Sequence, residues 1–386
     1  MNEGTRIFAN LRTRMDANPT RMDANKYSRE LALDSRIFAF MKIKSPLTHK
    51  KEVAPLCAAG ADEFFCGIEP YNWRRKYKDF SINQRSTGAN FTKLADLEKA
   101  IQVAHQYKTK VHIAVNAFFY LAEQYKAAQT IIKDVLGIGA DGIIFADPGL
   151  LNANGRKSID ANFRECKDSL NVKDVIIGTD AVIFNSAAVK FYKKLGATRV
   201  VFPRAMTIAE MKEVVESDRF MEYEAFIIHD LCFFEDGFCA YCKEQAGSVK
   251  KEGRARGNAY FFTASRLPSR GYGGGCRTSF KRQKISVANN RQIGKIKPFT
   301  FWMKKHIEGC GACAIYDFKK IGITNLKVLD RNLPTEEKIK ATAFIRKSLG
   351  FLESGNISKT DYMEKCRELF KNTFKIKCNQ YDCYYP

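Results

Sequence analysis

The residues best suited to chemistry are nine cysteines in the second half of the chain. Four of them form two short Cys-x-x-Cys pairs, Cys239 with Cys242 and Cys310 with Cys313. Thiolates are soft ligands that suit zinc and iron–sulfur clusters alike, and cluster ligands can lie far apart in the chain. The spacing leaves three alternatives open: an iron–sulfur cluster, a tetrahedral zinc site or ordinary core thiols. The nine residues are Cys232, Cys239, Cys242, Cys276, Cys310, Cys313, Cys366, Cys378 and Cys383.

A second group of candidate residues is polar and follows short apolar segments, at the points where strands would end. His229 is the base nearest in sequence to Cys232, as a cysteine nucleophile would require. Neither the Gly-x-Ser-x-Gly motif of α/β hydrolases nor the His-Glu-x-x-His motif of zinc proteases occurs, so the sequence shows no sign of either class. The polar group consists of Asn116, Asp147, Thr179, Asp180, Arg204, His229 and Asp230.

Alternating helices and strands are predicted from residue 41 onwards, and these elements would position the candidate residues. The segment "DVLGIGADGIIFAD" is typical of a helix end, a turn and a buried strand that ends at Asp147. At least six such units predict parallel strands joined by helices. No Gly-x-Gly-x-x-Gly turn follows a predicted strand, so the pattern favours a TIM-like (β/α) barrel over a doubly wound sheet. Three glycines are predicted to end helices: Gly60, Gly139 and Gly196.

The charge of the chain predicts a polyanionic partner. Its 386 residues include 64 Lys and Arg against 42 Asp and Glu, a net charge of +22. In a cytoplasmic protein the commonest polyanion is RNA, although a generally basic surface is an alternative. No apolar run approaches the roughly 20 residues of a membrane span, and no secretory signal is visible, so we expect a cytoplasmic protein that is not bound to a membrane. Its twelve cysteines then indicate metal or redox chemistry rather than disulfides.

Three regions are expected. Residues 1–40 are a flexible extension in which "RMDAN" is repeated, residues 41–331 are the barrel, and residues 332–386 are a helical, cysteine-containing tail. The barrel contains a cysteine-rich region, 228–313, whose basic, Gly-rich part at 250–297 is interleaved with Tyr and Phe. Such a segment suits phosphates and stacked bases, although it could equally be a solvated loop. Three further cysteines are expected in the core: Cys57, Cys66 and Cys166.

Several ordered motifs resemble the collagenase-like peptidase family U32. The segments "EVAPLCAAGADEFFCGI", "KVHIAVNAFF", "GIGADGIIFADPGLL" and "EAFIIHDLC" carry the resemblance, which covers about residues 42–331. The family signature is a Glu-x-Phe strand that leads to Cys-x6-Cys, matched here by Glu224, Phe226, Cys232 and Cys239. The resemblance therefore implies a TIM-like barrel whose last strands lead into the cysteine-rich region.

The resemblance also implies a metal cofactor. A family cysteine in a Gly- and Arg-rich loop is matched by Cys276, and the last one precedes "GITNLKVLDR", at Cys310 with Cys313 as the alternative. Members of the family hold a four-iron, four-sulfur (4Fe-4S) cluster on four such cysteines. The implied metal ligands are Cys232, Cys239, Cys276 and Cys310.

The activity implied by the resemblance is oxygen-independent hydroxylation. Family members modify a tRNA wobble uridine, a ribosomal RNA cytidine or a ubiquinone precursor, with prephenate as the oxygen donor in the RNA cases. Together with the charge, this predicts a hydroxylase that modifies tRNA or rRNA and that a protein partner could supply with electrons. We expect catalytic roles for His229, Asp230, Asp147 and Asp180, and substrate contacts from Asn116, Arg204 and Arg277.

The chain departs from the family pattern at three places. Ile228 holds the family's histidine position, with His229 one residue later, and Ala205 replaces a Glu after Arg204. The segment "KVLDR" stands where the family has "KIEGR". A peptidase and a non-catalytic RNA-binding protein with a structural cluster are the alternative functions. A second metal site, with Cys242 or Cys313 as a further ligand, is an additional hypothesis for Cys366, Cys378 and Cys383.

Overall fold

The computed structural model describes residues 41–77, 81–83, 87–151, 172–230, 236–237, 309–353 and 355–386. Several predicted features lie outside these residues: the extension 1–40, the basic segment 250–297, Cys166, Cys232, Cys239, Cys242, Cys276 and Arg277.

Eight parallel strands form a closed barrel in which each strand pairs with the next along the chain and the last pairs with the first. This arrangement confirms the predicted TIM-like (β/α) barrel. The strands are β1 (Lys42–Pro46), β2 (Glu63–Gly67), β3 (Lys110–Val115), β4 (Gly142–Phe145), β5 (Asp174–Ile177), β6 (Arg199–Val201), β7 (Glu222–Ile228) and β8 (Asn325–Val328).

Amphipathic helices cover the outside of the barrel. Gly60, Gly139 and Gly196 have φ angles of +101°, +100° and +82°, so the predicted glycine helix ends are confirmed. The helices are α1 (Val53–Ala58), α2 (Tyr71–Tyr77), α3 (Leu94–Gln106), α4 (Ala122–Gly137), α5 (Ser186–Lys194), α6 (Ile208–Ser217), α7 (Ile315–Ile321), α8 (Thr335–Glu353) and α9 (Lys359–Phe374). None of the helices described is long and apolar enough to cross a lipid bilayer.

Helix α8 packs against the first strand and helix of the barrel. The Lys338 ammonium donates to Glu52 Oε1 at 2.9 Å, and both side chains are buried. The hydroxyls of Ser45 and Thr342 are 2.8 Å apart in the same interface. The sequence pattern grouped this helix with the C-terminal tail, whereas the structure makes it the barrel helix that follows β8. Paired charges and hydroxyls in this interface explain why its burial was not visible in the sequence.

The inside of the barrel has a charged layer near the amino ends of the strands. Arg199 donates to both carboxylate oxygens of Glu63, at 2.6 and 2.9 Å, and to Glu224 at 3.0 Å. Glu224 also accepts from Lys44 at 2.6 Å and pairs with Lys327 at 2.9 Å. Burial by itself raises the pKa of Glu224, but these three cations lower that pKa by a larger amount. The pKa therefore lies well below its ordinary value, and the carboxylate stays ionised. The layer is thus a compact network of paired charges.

An apolar layer lies above the charged one, towards the carboxyl ends of the strands. Along single strands, residues two positions apart share the inside face, so Glu63 precedes Phe65 and Glu224 precedes Phe226. The two layers touch where the Lys327 ammonium lies 4.6 Å from the centre of the Phe65 ring. The apolar layer consists of Phe65, Ile144, Ile176, Val201, Phe226, Leu329 and Tyr384.

Candidate active site at the barrel mouth

The candidate site lies at the mouth of the barrel, the face at which the carboxyl ends of the strands meet. Predicted residues occupy this face within three residues of the ends of five successive strands: Asn116 follows β3, Asp147 follows β4, Asp180 follows β5, Arg204 follows β6 and His229 follows β7. Thr179 and Asp230 adjoin two of them. The barrel therefore brings these polar residues to one face, as the strand pattern predicted.

Two of the predicted acidic residues have different local partners. Asp147 accepts hydrogen bonds from the Tyr125 hydroxyl at 2.7 Å and from the Gly149 backbone N–H at 2.8 Å, so it also closes its own loop. Asp180 accepts from the Asn116 side-chain amide at 3.3 Å, which links the loops after β3 and β5. Asp180 is therefore tied to a predicted substrate-binding residue, and a catalytic role for either carboxylate stays a prediction.

Arg204 is the centre of a cluster at the ends of β6 and β7. Its Nε donates to the Asp230 carbonyl at 3.1 Å, and its guanidinium forms ion pairs with the Asp230 and Asp236 carboxylates. The Arg204 backbone N–H donates to Asp236 at 2.8 Å, and the guanidinium carbon lies 4.5 Å from the centre of the Phe226 ring. Two carboxylates and an aromatic face thus fix the orientation of one guanidinium.

The backbone at the mouth is strained. His229 and Asp230 have φ angles of +67° and +55°, and Val182, in the turn after β5, has a φ of +56°. A β-branched residue in this region is a genuine outlier, and such strain concentrates at functional sites. A Cβ on Gly237 would overlap the Val182 side chain and lie 2.8 Å from the Asp180 carbonyl oxygen. Glycine at 237 therefore lets the turn that carries Asp236 pack directly against the mouth.

Cys310 lies at the mouth between β7 and the C-terminal segment. It forms an antiparallel bridge with Ile228, the last residue of β7, and a parallel bridge with Cys383. The Cys310 N–H donates to the Asp382 carbonyl at 2.8 Å, and the His229 N–H donates to the Gly309 carbonyl at 2.9 Å. Since bridged segments are about 4.8 Å apart, Cys310 lies beside the strand end that leads towards Cys232. The role of Cys310 as a cluster ligand stays a prediction.

Tyr384 covers the apolar layer from the mouth side. Its hydroxyl donates to the His229 carbonyl, and its ring lies 6.4 Å from the Phe226 ring. The neighbouring Tyr385 hydroxyl donates to the Phe226 carbonyl at 2.9 Å. Burial raises the pKa of Tyr384 well above its ordinary value, so its hydroxyl stays protonated and remains a donor. The C-terminal segment therefore fixes the turn that contains His229.

Several thiols surround Cys310 without forming a metal site among the residues described. Burial raises the pKa of Cys310 and, to about 12, that of Cys313, and both thiols interact electrostatically with Cys378 and Cys383. In this part of the chain no three His, Cys, Asp or Glu side chains are arranged to hold a metal ion. The described residues therefore do not assemble the hypothesised second site, and they include one of the four predicted cluster ligands. Cys66 is a buried core residue, as expected, and Cys57 is partly buried.

The family model for peptidase family U32 matches residues 48–381. The chain belongs to this family. A tRNA hydroxylation protein of Haemophilus influenzae is 28% identical over 201 residues, which are 51% of this U32 chain and 38% of that protein. An uncharacterized protease of Methanocaldococcus jannaschii is 26% identical over 47% of this chain and 38% of that protein. A 23S rRNA 5-hydroxycytidine synthase of Escherichia coli is 22% identical over 42% of this chain and 22% of that protein. The matches thus span less than half the length of these U32 relatives.

Two residues of this U32 site were not predicted from the sequence. Asp236 pairs with Arg204 across 32 residues of chain, and Tyr384 reaches His229 across 155. Neither position carries a local motif, because both contacts arise from tertiary packing. The "CYYP" ending, with two adjacent tyrosines after a cysteine, was the one available signal for a segment packed on apolar surface.

Proposed function

We propose that this U32 chain is an RNA hydroxylase whose reaction takes place at the barrel mouth. The observation that carries the proposal is the similarity to tRNA hydroxylation proteins over about half of the chain. The position of Cys310, bridged to the end of β7, supports it. The net charge of +22 favours RNA over a neutral small substrate.

The proposed cofactor is a 4Fe-4S cluster, with prephenate as the oxygen donor. Thiolates suit iron–sulfur clusters, and the implied ligands are Cys232, Cys239, Cys276 and Cys310. When bound, the cluster would supply the redox chemistry that the side chains of the protein lack. The chain's own contribution would be to orient the substrate, through Arg204 and the amide of Asn116, over the apolar floor that Phe226 and Tyr384 form beneath the mouth.

Anaerobic purification followed by iron and sulfide analysis tests the cofactor. We expect about four of each per chain and a brown protein, and a Cys310→Ser variant with much less of both. A Cys66→Ser variant is the matched control, because Cys66 is fully buried in the barrel core. A colourless wild-type protein that contains zinc instead would contradict the cluster.

Peptidase activity is the second candidate function, because the family is named as a peptidase family and the M. jannaschii relative is named as a protease. It predicts that the purified protein cleaves peptides without reductant or prephenate. Incubation with unmodified tRNA, prephenate and reductant under anaerobic conditions separates the two functions. A hydroxylated nucleoside with intact peptides supports the hydroxylase, and cleaved peptides with unchanged nucleosides support the peptidase.

A further inference from the structure

A patch on the rim of the mouth combines exposed cations with exposed aromatic rings. We define this rim patch as Tyr71, Arg74, Arg75 and Lys76 on α2 together with Phe119 in the loop before α4. Tyr71 and Phe119 are 69% and 40% exposed, and the three cations are also exposed. Helix α2 follows the end of β2 and the Phe119 loop follows the end of β3. Both segments therefore lie on the mouth face, where the proposed reaction occurs.

Buried aromatic residues hold the two segments of the rim patch together. The Trp73 ring on α2 meets the Tyr120 ring edge-on, with the ring centres 6.3 Å apart. The Tyr77 hydroxyl donates to the Glu123 carbonyl at 3.1 Å, and the Tyr120 hydroxyl donates to the Ile82 carbonyl at 2.6 Å. The buried residues Trp73, Tyr77 and Tyr120 alternate in sequence with the exposed residues. The backbone that carries the exposed side chains is therefore fixed by packing.

The chemistry of the rim patch matches a single-stranded polyanion. Among the described residues, Glu69 pairs with Arg74 at 3.7 Å and the Glu123 carboxylate interacts with Lys76, so three cations with two acidic neighbours leave the patch positive. Cations attract phosphates without regard to sequence, whereas exposed rings offer stacking surfaces to bases. Bases can stack on side chains when they are splayed out of a helix, as in the loops of RNA hairpins.

We propose that the rim patch binds a single-stranded loop of the RNA substrate, with its cations on phosphates and Tyr71 and Phe119 stacked on bases. This inference rests on the proposed function, in which RNA is the substrate. It adds the place on the barrel where the RNA docks. A base held on the rim would lie close to the strand ends that carry Asn116 and Asp147.

Fluorescence anisotropy with the full-length protein tests the rim patch without any chemistry. The probes are a labelled RNA hairpin with a single-stranded loop and a fully paired RNA duplex of equal length. A triple variant, Arg74→Ala, Arg75→Ala and Lys76→Ala, should bind both probes more weakly and with a salt slope smaller by about 2 to 3. In a double variant, Tyr71→Ala and Phe119→Ala, the affinity for the hairpin should fall about tenfold or more. The affinity for the duplex should stay close to that of the wild type.

A matched control exists at the opposite end of the barrel. Lys193 and Lys194 end α5, and Phe220, which is 68% exposed, lies with its ring centre 5.9 Å from the Lys193 ammonium. The triple variant Lys193→Ala, Lys194→Ala and Phe220→Ala should bind both RNAs as the wild type does. Thermal melting verifies that every variant folds, and the single Tyr71→Ala variant replaces the double variant if the latter melts early.

Two outcomes would overturn the rim patch. One is that the aromatic variant binds the hairpin as tightly as the wild type does, and the other is that the control variant loses as much affinity as the rim variants. The failure of the proposed function looks different. In that case the rim variants lose RNA binding, yet the wild type produces no hydroxylated nucleoside.

Discussion

The charged layer of the barrel interior and the barrel mouth both contain buried ion pairs, but they are built in different ways. In the charged layer the partners sit inside regular strands whose pairing fixes their positions, as with Arg199 and Glu63. At the mouth the partners of Arg204 sit on turns: Asp230 has a left-handed backbone, with a φ of +55°, and Asp236 lies 32 residues further along the chain. Regular strands tolerate little rearrangement, whereas turns can be reshaped without loss of the barrel. The difference indicates that the charged layer supports the fold, whereas the mouth can vary without loss of the barrel, as the proposed reaction site would require.

The largest expected loss of stability follows from breaking the charged layer. Glu224→Gln leaves Lys44, Lys327 and Arg199 buried around a neutral side chain, so we expect the free energy of unfolding to fall by about 3–5 kcal/mol. Glu222→Gln on the same strand is the matched control, because Glu222 is 41% exposed and should cost at most about 1 kcal/mol. Urea denaturation measures both, and equal losses would contradict a supporting role for the layer.

A smaller loss is expected from a change at the mouth that leaves the strands intact. Gly237→Ala forces its Cβ against Val182 and adds strain at a φ of +78°, so we expect a loss of about 1–3 kcal/mol together with loss of RNA hydroxylation. Gly139→Ala meets similar backbone strain at a φ of +100°, but its nearest neighbour would be 3.6 Å away. This control should therefore lose stability from strain alone and keep its activity. If both variants keep their activity, the turn at Asp236 is not part of the site.

The smallest expected effect is a dependence of stability on pH that originates in His112, a buried residue of β3 whose Nδ1 lies 3.7 Å from Glu63 in the charged layer. Burial, and then the Lys44 charge, lower the pKa of His112, which hydrogen bonds Asp174 at 3.0 Å. The unfolded chain therefore takes up a proton on this residue as the pH falls below about 6.5, while the folded chain resists it. Stability should fall between about pH 6.5 and 5, by at most about 1.4 kcal/mol per pH unit.

The variant His112→Gln checks that this slope comes from His112. Without the imidazole, the free energy of unfolding should vary less between pH 6.5 and 5, whatever the absolute loss of stability. The exposed His105, with 43% of its side chain accessible, provides the control substitution His105→Gln. A slope that is unchanged in His112→Gln would place its origin elsewhere in the molecule.

Most of the barrel was predictable because its strands are short, apolar and separated by helices with glycine ends. Strands β2 to β8 carry this pattern, and Gly60, Gly139 and Gly196 mark helix ends as expected. The first strand, "KIKSP", was missed because Lys44 points inward to Glu224, so the alternation of a buried strand is lost. Charge pairing inside a barrel is a tertiary effect that no local pattern reveals.

The sequence predicted which end of the barrel would hold the site residues, but it did not predict the contacts between them. The rule that strand ends converge was enough to gather Asn116, Asp147, Asp180 and Arg204. The pairing of Arg204 with Asp236 was not predictable, because Asp236 approaches through a turn that requires glycine at 237. The bridge between Cys310 and Cys383 likewise depends on the C-terminal segment returning to the mouth.

The measurement that tests the central claim most directly is mass spectrometry of RNA nucleosides. Total tRNA and rRNA would be digested from cells that produce the wild-type chain, the Cys310→Ser variant, the Cys66→Ser control or no chain. We predict a nucleoside heavier by one oxygen atom with the wild type and with Cys66→Ser, and its absence in the other two samples. Identical nucleoside profiles in all four samples would contradict an RNA hydroxylase at the barrel mouth.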